Sequence, residues 1–405
     1  MSQASESSPS DGGAKAQAPR SVSIENQEAC NATFAAVYAE QVGPRFLMMR
    51  NGSSVKPQGE QHYMDFTGSS IYLNRQTEEY NAILGSGVFG NPHSKSATSQ
   101  LSTDYVASMR AKIFEILTAD PEVYEVVFTR SATGSLHLLG EAFPFGRNCS
   151  YAYTISNHNS LLGIRSYAEK KGARIGAVTE EEIETWLKGD DDSAFEGTVL
   201  ETGNDNNGEK TYSLFAYPKK DNYEGILYPD EWIAKVQNKS TSNHEWMVLL
   251  DTAAYAPTYR LNLSKISPDF VVLSFYKFFG LPTGVGALIM RRESEEKLRR
   301  TYWGGSSVFT ATSALPWKVR YTGAAKWEDG TLPFLDIVAL KPGFDAMEYL
   351  GGIDNVEKYV TCLGTHMSKT FKSLKHSNGS PMLRLYGRHY DSPGSTGYVT
   401  NSRLQ

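Results

Sequence analysis

Lys277 follows the apolar run DFVVLSF within DFVVLSFYKFFGLPTGVGAL (269–288), between aromatic residues and just ahead of a glycine-rich turn. A lysine is rarely fully buried unless something pairs with it. One reading is a side chain that snorkels to solvent with its stem on the aromatics. The other is an amine whose desolvation lowers its pKa and makes it a nucleophile toward a carbonyl carbon. Other positions carry groups that such an amine could use. Asp251 ends the apolar run WMVLLD, where a carboxylate must meet a cation or hydrogen-bond donors. In FTRSATGSLHLL, Ala132, Thr133 and Gly134 stand where a strand turns into a helix. Free backbone N–H groups, a hydroxyl and the helix dipole make an anion site suited to phosphate there, although the turn alone reads as an ordinary helix cap. His158 follows the strand pattern YAYTIS and Asn222 follows SLFAYP. Taken singly, each is a polar loop or turn residue. Ser274 and Tyr276 flank the lysine with hydroxyls able to hold a phosphate.

Together these groups suit one chemistry. An aldehyde cofactor held as a Schiff base by Lys277 needs a phosphate cradle, a carboxylate that keeps a pyridinium nitrogen protonated, and a stacking partner. Pyridoxal 5'-phosphate has those requirements, with Asp251 as the carboxylate.

The elements that must position these residues are legible as an alternation. LSTDYVASMRAKIFEILTA has helical spacing, VYEVVFT is a strand, ATGSLHLLGEAF a helix, YAYTIS a strand and NSLLGIRSYAEKKG a helix. ARIGAV, SLFAYP, WMVLLD, DFVVLSF and GALIMRR read as further strands, mostly apolar throughout. Strands apolar on both faces and separated by helices predict a mostly parallel, doubly wound α/β sheet over residues 65–335. In such sheets ligands bind at the carboxyl ends of the strands, where the residues above fall. Beyond residue 335, FLDIVALKPGFDAMEYLGG and VEKYVTCLGTHMSKTFKSLKH predict long helices, followed by one strand in MLRLYG. That pattern predicts a smaller α+β domain over 336–405, incomplete because one strand cannot pair with itself. Residues 1–25 read as a disordered tail and 26–64 as an N-terminal segment belonging to the small domain. The acidic stretches EEEIETW…GDDD (180–192) and ETGNDNNGEKT (201–211) read as solvated helix and loop.

The chain has 405 residues, 40% apolar and 21% charged, with a net charge of −5. That balance suits a soluble globular protein with a sizeable core and gives no field to recruit nucleic acid or an anionic membrane. No apolar run reaches the length of a membrane span. Three distant cysteines, Cys30, Cys149 and Cys362, fit neither a disulfide framework nor a zinc spacing, which suits a reducing cytoplasmic setting.

The motifs GNPHS (90–94), FTRSATGSL (128–136), NHNSLLG (157–163), LLDTAAY (249–255), SFYKFFGLPTGVGAL (274–288) and EDGTLPFLDIVAL (328–340) carry a resemblance to the class V aminotransferase family. Its members are pyridoxal phosphate enzymes of fold type I. Within that family the chain is most similar to the molybdenum cofactor sulfurases, relatives of the cysteine desulfurases. The resemblance implies that Lys277 forms the Schiff base, Asp251 partners the pyridine nitrogen, and His158 stacks on the ring and relays protons. It gives phosphate contacts to Ala132, Thr133, Ser274 and Tyr276, and places Asn222 beside the cofactor hydroxyl. Thr331 would reach the phosphate across the interface of a homodimer.

The implied activity converts L-cysteine to L-alanine and passes sulfur, through an enzyme persulfide, to a molybdenum cofactor acceptor. Other class V chemistry (desulfurase, lyase or transaminase), or a silent cofactor-binding or dimerisation role, are the alternatives. Ala254 departs from the pattern, since desulfurases carry a glutamine there. The family's mobile cysteine and its substrate-carboxylate arginine are expected after residue 405, so the chain resembles a truncated form. Cys362, in a helical pattern, reads as a core residue.

Overall fold

The computed structural model describes residues 65–94, 96–189, 210–386 and 401–404. The expected tail and N-terminal segment over 1–64, and the acidic stretches from 190 to 209, lie outside the described residues.

The helices are α1 (Asn74–Gly85), α2 (Ala97–Ile116), α3 (Ala132–Ala142), α4 (Asn159–Leu162), α5 (Arg165–Lys170), α6 (Glu180–Lys188), α7 (Glu231–Gln237), α8 (Tyr276–Phe279), α9 (Arg292–Glu295), α10 (Phe334–Val338), α11 (Leu340–Tyr349) and α12 (Ile353–Ser373). The central strands are β1 (Tyr124–Thr129), β2 (Ser150–Thr154), β3 (Arg174–Val178), β4 (Thr211–Pro218), β5 (His244–Asp251), β6 (Phe270–Ser274) and β7 (Gly286–Arg291). They form one sheet in the order β1-β7-β6-β5-β4-β2-β3. Only β7 runs antiparallel to its neighbours, β1 and β6. The remaining pairs are parallel.

The continuous apolar character of these strands has a direct cause. Successive residues point to opposite faces of the sheet, and a hydrophobic cluster covers each face. Val126, Phe215, Val248 and Val271 belong to one cluster. Their neighbours Val127, Leu214, Leu249 and Val272 belong to the other. Neither face can therefore be polar, as in other covered parallel sheets.

The acidic helix expected over 180–192 appears as α6. Thr179 and Glu182 form a capping box, and Ile183 and Trp186 are buried, so only its acidic side faces water. The expected helix NSLLGIRSYAEKKG divides into α4 and α5, and the stretch from Phe334 divides into α10 and α11 at Ala339. One expectation is corrected. Strand β10 (Leu383–Tyr386) pairs antiparallel with β11 (Asn401–Leu404), so the strand in MLRLYG has a partner. The sequence reading missed it because NSRL is too short and too polar to signal a strand by alternation. It also missed the hairpin of β8 (Val308–Ala311) and β9 (Lys318–Arg320), whose strands are equally short.

Candidate functional site

The loops that leave the carboxyl ends of β1, β2, β4, β5 and β6 converge on one cavity. Counting its open mouth, it encloses about 550 Å³. Lys277, Asp251, His158, Ala132, Thr133, Asn222, Ser274 and Tyr276 all line it. These residues are dispersed over nearly 150 positions of the chain, and the strand order alone brings them together. Thr331 stands outside the cavity, exposed, with its hydroxyl accepting from Asn91 Nδ2 at 3.3 Å.

Lys277 lies in the single turn α8, directly after β6. Its backbone is gripped by the segment 70–76, far away in sequence. The Ser70 hydroxyl donates to the Lys277 carbonyl oxygen at 2.7 Å. Gln76 Nε2 donates to the Phe279 carbonyl at 3.1 Å, while Gln76 Oε1 accepts from Leu73 N–H at 2.7 Å. Gly280 closes the turn with φ +74°, and a Cβ there would meet Tyr72 N at 2.5 Å, so a side chain is excluded twice over. Burial lowers the pKa of the Lys277 amine, against the attraction of Asp251 and Asp65.

Asp251 is the last residue of β5 and is 6% exposed. Among the described residues, the only hydrogen bond to its carboxylate comes from Ala253 N–H, to Oδ1 at 3.0 Å. Burial pushes its pKa up, opposed by that bond and by the charges of Lys277 and His158. A buried carboxylate with so few donors is costly unless a cationic or N–H group meets it. A protonated pyridine nitrogen is such a group, and the cavity therefore fits the cofactor that the sequence implied.

His158 caps α4, and its Nδ1 accepts from Ser160 N–H at 3.1 Å. In the neutral ring the proton is then on Nε2. Asn157 holds this turn to β2 by donating to the Thr154 carbonyl and hydroxyl at 3.1 and 3.0 Å. At the phosphate-type turn, the Ser131 hydroxyl accepts from Gly134 N–H at 3.1 Å. The N–H groups of Ala132 and Thr133 belong to the first turn of α3, which has no partners within the helix. Thr133 and Ser160 hydroxyls are 2.8 Å apart, which ties the turn to the His158 loop.

Sequence reasoning missed Lys220. It is 6% exposed, lines the same cavity, and stands in the loop that leaves β4. Lys219 N–H donates to the Asp251 carbonyl at 2.7 Å, which fixes the start of this loop against β5. Asp221 closes the loop, since Oδ1 accepts from Tyr223 and Glu224 N–H at 2.7 and 2.9 Å and Oδ2 from Ile226 N–H at 2.8 Å. Lys219 Nζ lies 5.6 Å from the Tyr255 ring centre and Lys220 Nζ 5.6 Å from that of Tyr259. The two tyrosine rings stack on each other at 4.9 Å. Burial pushes the Lys220 pKa down to about 8, with Asp221 pulling the other way and Lys277 adding to the fall. The signal was available in the sequence. SLFAYPKK places a cation just past a buried strand, as DFVVLSFYK does.

Cys149 is buried, its Sγ 3.8 Å from the Pro144 carbonyl, and burial pushes its thiol pKa up. It is not a competent thiolate. Among the described residues, no cluster could hold a metal ion and no helix is long and apolar enough to cross a membrane.

Residues 62–384 match the aminotransferase class-V family. The chain is 34% identical over 386 residues to the molybdenum cofactor sulfurase of Solanum lycopersicum, which covers 90% of this chain and 46% of that protein. It is 33% identical over 352 residues to the human molybdenum cofactor sulfurase, covering 84% of this chain and 38% of that protein. The chain thus spans less than half the length of these curated relatives. Among solved structures, the cystine C-S lyase C-DES in complex with its reaction product cysteine persulfide aligns with a TM-score of 0.66 at 17% identity, covering 85% of this chain and 84% of that one. The cysteine desulfurase CsdA of Escherichia coli aligns with a TM-score of 0.64, again at 17% identity, covering 81% of this chain and 76% of that one. These likenesses establish the fold.

Proposed function

The chain belongs to the class V aminotransferase family, and from that premise we propose that it binds pyridoxal 5'-phosphate and acts on L-cysteine in the manner of a molybdenum cofactor sulfurase. The observation that carries this reading is the convergence of Lys277, Asp251 and His158, from three different strand ends, on one cavity. The names of the curated relatives and the cysteine chemistry of the solved neighbours support the substrate class. Another solved neighbour, aligning with a TM-score of 0.65, carries glycine covalently linked to its pyridoxal phosphate, which supports the cofactor.

The cavity lining and the family resemblance support the following roles. Lys277 would tether the cofactor through Nζ, and Asp251 would pair with the ring nitrogen. The Ala132 and Thr133 N–H groups, with the hydroxyls of Thr133, Ser274 and Tyr276, would take the phosphate, and Asn222 would lie beside the cofactor hydroxyl. When bound, the cofactor supplies an electron sink for the pair released at the substrate α-carbon. Lys277, its pKa lowered by burial, is the base suited to hold the α-proton. His158 would stack on the ring, with its Nε2 proton available for delivery. The net change breaks the C–S bond of cysteine, passes sulfur to a thiolate as a persulfide, and returns a proton to carbon to give alanine. The molybdenum cofactor is the proposed final sulfur acceptor.

A homodimer is part of the same proposal. Phe309, Leu315, Trp317 and Tyr321, in and beside the β8–β9 hairpin, expose 41–68% of their surface, which supports an association face there. Thr331, exposed and outside its own cavity, would serve the site of a second copy. A cytoplasmic setting is supported by the buried free thiol of Cys149.

The test is covalent capture. The protein is incubated with pyridoxal phosphate, reduced with borohydride and digested for mass spectrometry. A cofactor adduct on the Lys277 peptide is expected, with none in Lys277→Ala. An adduct on another lysine, or none in the wild type, overturns the reading. Release of alanine from L-cysteine, with a thiol present as sulfur acceptor, reads out the substrate.

A further inference from the structure

Lys277 sits on a helix too short to hold itself. Helix α8 has four residues, a single turn, and a helix repays the cost of its nucleus only over several turns. The carbonyl groups at a helix end also have no partner within the helix. Two of them are met here by side chains about 200 positions away in the chain. The Ser70 hydroxyl donates to the Lys277 carbonyl at 2.7 Å. Gln76 Nε2 donates to the Phe279 carbonyl at 3.1 Å, which also accepts from Leu281 N–H at 2.9 Å. The turn is thus held at the residue that carries the amine and again two residues later.

The hold is built from buried parts. Gln76 is 1% exposed, and its Oε1 accepts from Leu73 N–H at 2.7 Å, so one amide ties the start of α1 to the end of α8. The backbone of 70–72 lies against Gly280, where a Cβ would stand 2.5 Å from Tyr72 N and 2.6 Å from the Ser70 carbonyl oxygen. Helix α11 adds a second hold. A Cβ on Gly343 would stand 2.4 Å from the Phe279 ring, and Phe344 packs edge-on to that ring at 5.3 Å. Helix α1 is itself fastened to α11, by Lys341 to Glu79 at 3.5 Å and by Arg75 over the Tyr349 ring at 4.7 Å. Lys277 lines the cavity while Phe279, two residues on, is buried in this packing.

We propose that Ser70 and Gln76 are positioning residues that aim the Lys277 amine at the aldehyde carbon of the cofactor. The proposal rests on the pyridoxal phosphate reading above. Both residues stand outside the cavity lining, so they act through the backbone of α8 and not by touching the ligand. In the condensation, Nζ bonds to the aldehyde carbon, and the aldehyde oxygen leaves as water with the two protons of the neutral amine. Such a step depends steeply on where the attacking atom is held, and a small misplacement from a distant change is costly. The phosphate turn at α3 and the carboxylate at the end of β5 belong to other elements. Loosening α8 therefore costs the covalent bond and spares the part of binding that needs no amine.

The full chain is titrated with pyridoxal phosphate and with deoxypyridoxine phosphate, its counterpart lacking the aldehyde. Ser70→Ala and Gln76→Met are each expected to weaken pyridoxal phosphate binding at least about threefold, and the double variant about tenfold. Affinity for deoxypyridoxine phosphate should stay within about twofold throughout. Borohydride capture at Lys277 should fall in step with the first ligand. Ser70→Thr keeps the hydroxyl and is expected to bind both ligands as the wild type does. Ser70→Ala, at a half-buried position, carries the test alone should Gln76→Met not fold. Equal losses for the two ligands would assign these residues to general stability and overturn the proposal. Unchanged pyridoxal phosphate affinity, or a threonine variant as weak as the alanine one, overturns it equally. Absence of the Lys277 adduct in the wild type overturns the underlying reading, which is a different result from a normal adduct that the variants leave intact.

Discussion

Gly286, the first residue of β7, lies so close to Ser131 that a Cβ on it would stand 2.5 Å from the Ser131 carbonyl carbon. The strand beside Lys277's own thus touches the backbone of the anion turn, and only a residue without a side chain permits the approach. The glycine of the turn-and-strand sequence PTGVGAL is a spacing device between two parts of one site.

Gly286→Ala is expected to push the Ser131 turn outward. The overpacking should lower stability by about 1–3 kcal/mol and weaken pyridoxal phosphate binding, read by urea denaturation and by cofactor titration. Full affinity in the variant would show that the turn does not hold the phosphate.

Arg110 supports the same turn from behind. Its Nη2 donates to both oxygens of Glu328 at 3.0 and 3.1 Å, and Glu328 also accepts from Phe128 N–H at 2.8 Å. Burial pushes the Glu328 pKa up, and Arg110 opposes the rise. Arg110→Ala leaves that carboxylate buried and unpaired, so a loss of about 3 kcal/mol is expected. Adding Glu328→Gln should restore part of it. Additive losses in the double-mutant cycle would rule out the coupling.

Stability should depend on pH through Lys220. Its pKa is near 8 in the folded chain, against 10.5 for the ordinary amine. The folded state therefore holds fewer protons than the unfolded state between those values, and stability rises with pH across that window. The penalty is fully present below pH 8, and the difference corresponds to about 3 kcal/mol. Without ligand, Lys220→Met should be more stable than the wild type at pH 7 by an amount of that order. The gap should close by about pH 10.5 as Lys220 loses its proton, with Asp221 and Lys277 the charged groups acting on it. Denaturation curves at pH 7, 9 and 10.5 measure this; a pH-independent gap would contradict it.

Asp251 shows the same conflict with opposite sign. Burial raises its pKa above 3.8, so the folded state holds the extra proton. Stability then falls as pH rises from 3.8 through the folded-state pKa. Asp251→Asn is expected to stabilise the cofactor-free protein at pH 7 by about 1 kcal/mol and to weaken pyridoxal phosphate binding at least about tenfold. Calorimetric melting and cofactor titration separate the two effects. Equal cofactor affinity would remove Asp251 from the site.

Sedimentation should find a dimer. Replacing Phe309 and Trp317, 68% and 54% exposed, by glutamate is expected to yield monomers, since a charge at the centre of an apolar face opposes association. A wild type that sediments as a monomer would exclude the β8–β9 face as a self-association surface.

The sequence by itself determined the central strands and the chemistry available at their ends. Strands apolar on both faces can only sit inside a covered sheet, and Lys277, Asp251 and the 131–134 turn each lie at the carboxyl end of such a strand. What the tertiary structure decided was which strand ends are neighbours. The order β1-β7-β6-β5-β4-β2-β3 is a property of long-range pairing, and local patterns carry no record of it. That order placed Lys220 in the cavity, where the sequence had offered only a charged pair after a strand. It also set Gly286 against Ser131 and Ser70 against Lys277, contacts across 155 and 207 positions of chain. Burial, which sets the pKa of each of these amines and acids, exists only once distant segments have closed around them.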